Sequence, residues 1–476
     1  MSELDRRMFL ASTAAVALAG RAPRAYAAVP AGDDLLSYAD PILRPEPLVL
    51  AESQNALPLL ERAGETLVVD IPDGEYELED CFSPDKPDED RDRRVAAWLE
   101  AHRDAIPLAE AAAGRAGLEY PHLALSGTEF EHLSKDRRLA RLLVLEAQRQ
   151  MGLGNFARAA KLALLLERVA RLKRDAGRMV VDYLVASACE SCALALAQRI
   201  ALHPTVPPEV LRDMLTRLPQ RSNSFVGLRR AIRAEYCFYF LPSLDKLRAA
   251  RPESFFQTLL DWRLAELDAA ANREWENRCR RLAALFDGHP CPFDAVDTAQ
   301  RASVYYAASL RSLDGSGELD DSESWHGPLA AWPEALELYR SEHRASELSD
   351  AAPARAREQL LRVKNPIGRK LLEHNALGAG VYRQIALVTQ AAYDGTRLVL
   401  AARIFALEQG ELPADLEELV EAGLMGALPT DPFTGRFYVY SPEQRTAWSV
   451  GPHGDVSLEA SADDTPYYEA LLWRLG

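Results

Sequence analysis

The residue pattern with the clearest chemical meaning is Cys189-Glu-Ser-Cys192, which has the spacing of a redox-active or metal-binding cysteine pair. A redox pair is expected at a helix N-terminus, where the helix dipole lowers the pKa of the thiol. This pair instead lies inside Val180–Ile200, a run without glycine or proline. The run predicts a central helix with two small buried thiols, and a helix-internal disulfide or half of a metal site is the alternative.

Patterns that mark common active sites do not occur in this sequence. No two of the nine histidines have the i, i+4 spacing of a helical zinc site. A Gly-x-Ser-x-Gly elbow, a phosphate-binding P-loop and a Gly-x-Gly-x-x-Gly turn are also missing from the sequence. The sequence therefore identifies no catalytic residue and no cofactor-binding residue.

Two short segments place ionisable residues beside aromatic ones, Phe130-Glu131-His132 and Arg233-Ala-Glu235-Tyr236. Such residues line the cleft of a helical-barrel hydrolase, in which paired carboxyl groups act as acid and base. Salt bridges buried between packed helices explain the same residues equally well. The distance between the carboxyl groups, which would decide the matter, cannot be read from the sequence.

The first 27 residues have the composition of an export signal. Arg6 and Arg7 precede a Phe-Leu pair, and the apolar run Met8–Ala19 leads to a small-x-small cleavage site ending at Ala27. The adjacent arginines resemble the twin-arginine consensus, which is read by a receptor. An ordinary secretory signal is the first alternative. An uncleaved membrane anchor is disfavoured, because a membrane span needs ~20 apolar residues and the run Met8–Ala19 has only 12. We expect the mature chain in the periplasm or outside the cell.

Charge limits the partners of this 476-residue chain. Its net charge is −16, and residues 1–27 contribute four arginines against Glu3 and Asp5, which leaves −18 on residues 28–476. Nucleic acid and anionic membrane surfaces repel such a chain. Asp182 and Glu190 also make Val180–Ile200 costly to place in a bilayer. We expect a protein partner, no nucleic acid and no membrane span in the mature chain.

Apolar periodicity predicts a mainly α fold, a multi-helix bundle or an irregular helical-hairpin array with a small C-terminal β-hairpin. Predicted helices cover Arg94–Gly114, Phe156–Leu172, Val180–Ile200, Pro208–Leu218, Phe225–Ala249, Pro252–Phe286, Ala299–Leu313, Trp332–Glu347, Ala354–Leu372 and Val381–Gln409. Pro107 should bend the first of these helices or end its first part. The predicted divisions are an irregular arm at 28–94 with a short strand at Thr66–Ile71, a helical domain at 95–313, an acidic Gly/Ser loop at 314–331, further helices at 332–410, and a C-terminal unit at 411–476.

One helical hairpin is visible around Gly152-Leu-Gly154-Asn155. Leu139, Leu142 and Leu143 share one apolar face before this break, and a second amphipathic helix follows it. The hairpin resembles one tetratricopeptide unit. A second copy at the 34-residue period of such arrays is missing from the sequence, so a regular array is not predicted.

The C-terminal unit carries the segments GELPADLEEL, LPTDPFTGRFYVY and WSVGPHGD after a long helix. This order resembles the C-terminal half of type II secretion pseudopilins, which implies a long helix packed on a short sheet and a terminal loop that can bind calcium. Asp455, Asp463 and Asp464 are the candidate Ca²⁺ ligands, with a solvated acidic tail as the alternative. The hydrophobic N-terminal assembly helix of pseudopilins is missing from the sequence.

A broader resemblance joins ESQNAL at 52–57, the hairpin, PPEVLRDML at 207–215, Asn365-Pro-Ile-Gly368 and the C-terminal unit. In this order they resemble a family of exported all-helical bacterial proteins with no assigned activity, in which these motifs are architectural. We therefore predict a non-enzymatic scaffold or protein-interaction protein. A periplasmic hydrolase of polysaccharide or cell-wall material is the first alternative, and a calcium-dependent secretion-associated component is the second.

Overall fold

The computed structural model describes residues 33–46, 49–67, 81–82, 87–121, 131–220, 224–249, 293–314, 379–451 and 471–475, together with Asn365, Gly368 and Leu372. Helix accounts for 69% of these residues, and a small three-stranded antiparallel sheet lies near the C-terminus. The predicted mainly α fold is confirmed.

The α-helices follow one another along the described parts of the chain, and a π-helical segment, Glu235–Phe240, joins two of them without a break. They are α1 Asp33–Leu36, α2 Leu57–Glu65, α3 Glu89–Ala101, α4 Ala105–Ala113, α5 Glu131–Gly152, α6 Phe156–Ala176, α7 Val180–Leu202, α8 Pro208–Arg217, α9 Ser224–Ala234, α10 Leu241–Ala249, α11 Ala295–Asp314, α12 Ala379–Gln409 and α13 Glu417–Glu421.

The predicted hairpin is formed by α5 and α6. Gly154 adopts a φ of 76° in the turn between them, a left-handed conformation that favours glycine. Leu139, Leu142 and Leu143 are all buried, as the periodicity predicts. The resemblance of this hairpin to a tetratricopeptide unit stays a prediction.

The bend or helix end predicted at Pro107 lies a few residues earlier in the chain, as a helix end. Two separate helices replace the single one, because α3 ends at Ala101 and α4 begins at Ala105. Pro107 is the third residue of α4, inside the first turn, where the missing N–H breaks no helical hydrogen bond. The loop between the helices therefore makes the change of direction.

The arm predicted as irregular over residues 28–94 also needs correction. It contains α1 and α2, and α3 already begins at Glu89 after its cap Asp88, whose carboxylate accepts a 2.9 Å hydrogen bond from the Arg91 N–H. Of the predicted strand Thr66–Ile71, the described Thr66 and Leu67 are not in a strand. The predicted helices Pro252–Phe286 and Trp332–Glu347 lie outside the described residues. The predicted loop 314–331 does so too, except for Asp314, which is the last residue of α11 rather than part of a loop.

The buried apolar residues of the described helices form two cores. The first is built from α2 to α8, the C-terminal half of α12, α13 and the sheet. The second joins α1, α9, the π-helical segment, α10 and α11. Tyr183 of α7 and Ala386 of α12 lie in this second core, while Leu194 and Val399 of the same helices lie in the first. Thus α7 and α12 connect the two.

Among the described helices, α7 is the one long and apolar enough by composition to cross a membrane. However, 72% of its apolar stretch is buried inside the protein. A helix that is apolar on all sides is typical of the centre of a large fold.

The sheet has the strand order β1 Val439–Ser441, β2 Thr446–Trp448 and β3 Leu472–Arg474. The first two strands are the predicted hairpin, with Tyr440 opposite Ala447. The third strand was not predicted; it places Trp473 beside Gly395 of α12. A β-carbon added to Gly395 would lie 1.9 Å from the indole Cε2, so only glycine allows this contact.

Candidate functional site

Four buried polar side chains meet where α6, α7 and α12 pack together. Glu167 and Arg174 lie seven residues apart on α6, about two helical turns, and so share one face. Glu190 of α7 and Tyr393 of α12 meet that face, and none of the four is more than 3% exposed. We call these residues the α6–α7–α12 cluster.

The hydrogen bonds of the cluster run from helix to helix. The Tyr393 hydroxyl contacts both carboxylates. It lies 2.6 Å from Glu167 Oε1 and also contacts Glu190 Oε1. The guanidinium of Arg174 donates to Glu190 Oε2 at 2.5 Å and to Asp175 Oδ1 at 2.8 Å. Arg171 donates from Nε to Glu167 Oε1 at 2.6 Å. Buried charges of this kind are tolerated only when they are paired and hydrogen-bonded.

Burial and pairing act in opposite directions on the pKa values in the cluster. Burial raises the pKa of Glu190 to about 7, although Arg174 and the Tyr393 hydroxyl act to lower it. Burial acts to lower the pKa of Arg174, but the carboxylates of Glu190 and Asp175 outweigh it and raise that pKa. Arg174 is therefore a cation, whereas Glu190 is the group that can lose its charge near neutral pH.

The segments that the sequence singled out meet at the N-terminus of α7. His132 at the start of α5 contacts Asp182 Oδ1 through its Nε2. Glu235, in the π-helical segment, accepts a 3.3 Å hydrogen bond from the Val180 N–H. Burial raises the pKa of Glu235 to about 7, the Val180 N–H lowers it, and Asp182 raises it further. We call His132, Asp182 and Glu235 the α7 N-terminal group.

This group has the residue types of acid–base chemistry. A histidine oriented by a carboxylate is suited to accept a proton, and a carboxyl group with a pKa near 7 is suited to donate one. The second carboxylate oxygen of Asp182 is buried and has no hydrogen-bond partner among the described residues. Arg233 does not join the group, because its guanidinium binds the Ile42 carbonyl at 2.8 Å and Glu46 at 2.6 Å.

Cys189 and Cys192 lie within α7 as thiols and do not form a disulfide with each other. Burial raises the pKa of Cys189 to about 12, and thiols of high pKa are chemically inert. A cavity of about 10 Å³ lies beside Cys189 between α5, α6 and α7, which is room for one water molecule. The described residues contain no group of three or more side chains that could hold a metal ion.

The remaining candidate residues from the sequence lie outside the described parts of the chain. These are the export-signal residues Arg6 and Arg7 and the calcium candidates Asp455, Asp463 and Asp464. The export signal and the calcium site stay predictions.

The C-terminal sheet presents apolar side chains to solvent. Phe437 is 59% exposed and Val439 is 37% exposed, while Tyr438 between them is buried and donates to Asp394 Oδ2 at 2.9 Å. Alternation of this kind places Phe437 and Val439 on one side of the strand. The sequence predicted the strand, but not which of its faces would be covered by α12.

Comparison with known proteins gives no match to a protein-family model, a curated protein or a solved structure. The function must therefore be inferred from the geometry of the chain itself.

Proposed function

We propose that this chain is an exported, non-enzymatic helical scaffold that binds a partner protein through its C-terminal unit, residues 411–476. The observation that carries the proposal is the exposure of Val439 in β1 and of Phe437 two residues before it, beside a sheet that packs on α12. Exposed aromatic residues on a rigid element are typical anchors of protein interfaces. The packing of Trp473 against Gly395 supplies the rigidity.

The interior of the helical body supports a scaffold. In the α6–α7–α12 cluster, the charged groups are almost fully buried and contact one another across the helices. Groups held in this way fix the relative positions of the helices. They are not free to bind a substrate.

The partner should offer an extended segment with basic residues. Among the described residues, β1 is an edge strand: it pairs with β2 along one edge, and no described strand pairs with its other edge. Burial raises the pKa of Tyr440 in this strand to about 12, and the nearby carboxylates of Glu418, Glu443 and Asp415 raise it further. A strand with acidic surroundings favours a partner strand that adds lysine or arginine side chains.

The test places a photo-crosslinking aromatic amino acid at position 437 of the mature protein and exposes it to periplasmic extract. A matched control carries the same amino acid at Leu153, which is 62% exposed on the α5–α6 turn. We expect one dominant cross-linked protein at position 437 that position 153 does not give. The variant E418K/E443K should remove that product, since it reverses the charges beside β1. Identical products at both positions would overturn the proposal.

A hydrolase is the second candidate, favoured by the α7 N-terminal group. In this case Asp182 would orient His132, and protonated Glu235 would donate to a leaving group. Incubation with peptidoglycan and neutral polysaccharides should then release soluble fragments, and D182N should abolish the release while L153S leaves it unchanged. Absence of release by the unaltered protein would remove this candidate without affecting the first.

A further inference from the structure

The hydrogens available to the α6–α7–α12 cluster do not suffice if every carboxyl group is ionised. The Tyr393 hydroxyl has one hydrogen, yet its oxygen contacts a carboxylate oxygen of Glu167 and one of Glu190. An ionised carboxylate can only accept. With both glutamates ionised, one of these two close contacts would therefore hold no hydrogen.

One additional proton satisfies both contacts. A protonated Glu190 donates from Oε1 to the Tyr393 oxygen, and Tyr393 donates its own hydrogen to Glu167. The other oxygen of Glu190, Oε2, still accepts from Arg174 at 2.5 Å. Glu167 Oε1 accepts this hydrogen and also accepts from Arg171 at 2.6 Å, so neither contact needs a proton on Glu167.

The charges in the cluster and directly beside it also favour one bound proton. Two guanidinium groups, Arg171 and Arg174, face three carboxyl groups, Glu167, Asp175 and Glu190. The set is electrically neutral when one carboxyl group holds a proton. Glu190 is the one fully enclosed, at 0% exposure, so its ionisation is the most costly.

We propose that the folded protein binds one proton at Glu190, shared through Tyr393 with Glu167, and that this proton makes the junction of α6, α7 and α12 sensitive to pH. Loss of the proton leaves two carboxylates competing for one phenol hydrogen and weakens the contact of α12 with α7. The inference does not depend on the proposed function.

Other charged groups on the neighbouring helices are engaged elsewhere. On α5, Asp136 pairs with Lys173 and Arg137 donates to the Ser134 hydroxyl. On α9, Arg230 donates to the Asp175 carbonyl and pairs with Glu46. On α8, Arg212 pairs with Glu408 of α12, and on α12 Asp394 accepts a hydrogen bond from Tyr438. Within α7, Tyr183 lies near Arg174 and Glu190 and is itself a neutral phenol whose pKa is raised by burial.

The direction of the pH effect follows from linkage. Burial raises the pKa of Glu190 above its unfolded value of 4.5 to about 7. The stabilisation is therefore complete below pH 4.5 and is lost as the pH rises to about 7. Over that interval the unfolding equilibrium constant should rise roughly 10²-fold because of this group alone.

The experiment compares the unaltered protein with E190Q, whose amide copies the size and hydrogen-bonding pattern of the protonated acid. Thermal unfolding between pH 5 and pH 8 should show a smaller loss of Tm for E190Q than for the unaltered protein. At pH 8 the variant should be at least as stable. The matched control is E110Q, because Glu110 forms an exposed pair with Arg158, and it should keep the original pH dependence.

Infrared spectroscopy supplies a readout that packing alone would not change. At pH 6 the difference spectrum between the unaltered protein and E190Q should contain the carbonyl band of a protonated carboxylic acid. The difference taken with E110Q should lack that band. The proposal is overturned if the E190Q difference has no acid band, if E190Q keeps the full pH dependence, or if the neutral amide prevents folding.

Discussion

Asn365 shows how one polar side chain can organise the surrounding backbone. Its carboxamide oxygen accepts from the N–H groups of Asp294 at 2.9 Å and Gly368 at 3.2 Å. Its amide donates at 2.9–3.0 Å to the Asp294 carbonyl, Asp297 and Thr298. The residue is buried and has a φ of 52°, a left-handed conformation that asparagine tolerates better than most residues. Asn365 thus joins the start of α11 to the backbone of Gly368.

Replacing Asn365 with alanine should lower the free energy of unfolding by about 2–4 kcal/mol, because buried backbone groups lose their partners and alanine is strained at positive φ. Urea denaturation measures the loss. N365G removes the same hydrogen bonds without the backbone strain, so it should be less damaging than N365A. Equal stability of N365A and the unaltered protein would contradict this account.

At the scale of elements, α12 connects parts of the molecule that are distant in sequence. It packs on α7 and α8, and near its middle Gly395 receives the Trp473 ring of β3. Arg397 also donates from Nη1 to the carbonyls of Leu215 and Leu218 at the end of α8, both at 2.9 Å. The position of the C-terminal sheet therefore depends on one glycine in a long helix.

Substituting Gly395 with alanine tests this dependence, because two effects oppose each other. Alanine favours a helix over glycine by about 1 kcal/mol. A β-carbon 1.9 Å from a buried indole forces the ring to move, and overpacking costs about 1–3 kcal/mol. We expect a net loss of stability and a change in tryptophan fluorescence.

The control for that substitution is G426A, since no atom lies within 4 Å of a β-carbon at Gly426. It should change the free energy of unfolding by less than about 0.5 kcal/mol. If G395A is as stable as G426A and leaves the fluorescence unchanged, the sheet does not depend on this contact.

The whole molecule carries a strong excess of negative charge, with −18 on residues 28–476 because residues 1–27 hold +2 of the total of −16. Like charges repel across the surface of the folded state, and this repulsion is screened by salt. Largely buried pairs such as Arg171–Glu167 are screened much less.

We therefore expect sodium chloride to raise the Tm of the mature protein at neutral pH. Calorimetry at increasing concentrations up to about 0.5 M, where the screening length is only a few ångströms, measures the effect. Sucrose serves as a control that stabilises without screening charge and should not reproduce the steep initial rise. A Tm that falls with salt would mean that surface ion pairs outweigh the repulsion.

Most of the helical architecture could be predicted from the sequence, because periodicity is a local property. The start of α6 at Phe156 and the start of α8 at Pro208 are as predicted, and α12 begins two residues before the predicted Val381. The division between α3 and α4 was predicted too late in the chain, since Ala and Leu spacing continues across the break. The third strand was missed, because three residues give too short an alternation to recognise.

The candidate sites were predictable only in part. His132 and Glu235 stood out beside aromatic neighbours, whereas Asp182, which joins His132, was noticed only as a charge unsuited to a bilayer. Glu167 and Tyr393 gave a weaker signal: each is a polar residue at a position that periodicity assigns to a buried face. That they meet depends on how α6 and α12 are rotated about their axes.

By itself, the sequence determined the helical class, the positions of most helices, the acidic charge and the number of thiols. These depend on residue type and on spacing within one segment. The tertiary structure decided that Tyr393 lies between Glu167 and Glu190, that Asp182 joins His132, and that Phe437 faces solvent. The reason is physical. These arrangements depend on segments that are far apart in the chain. Helix crossing and rotation, which no local pattern encodes, set the distances between such segments.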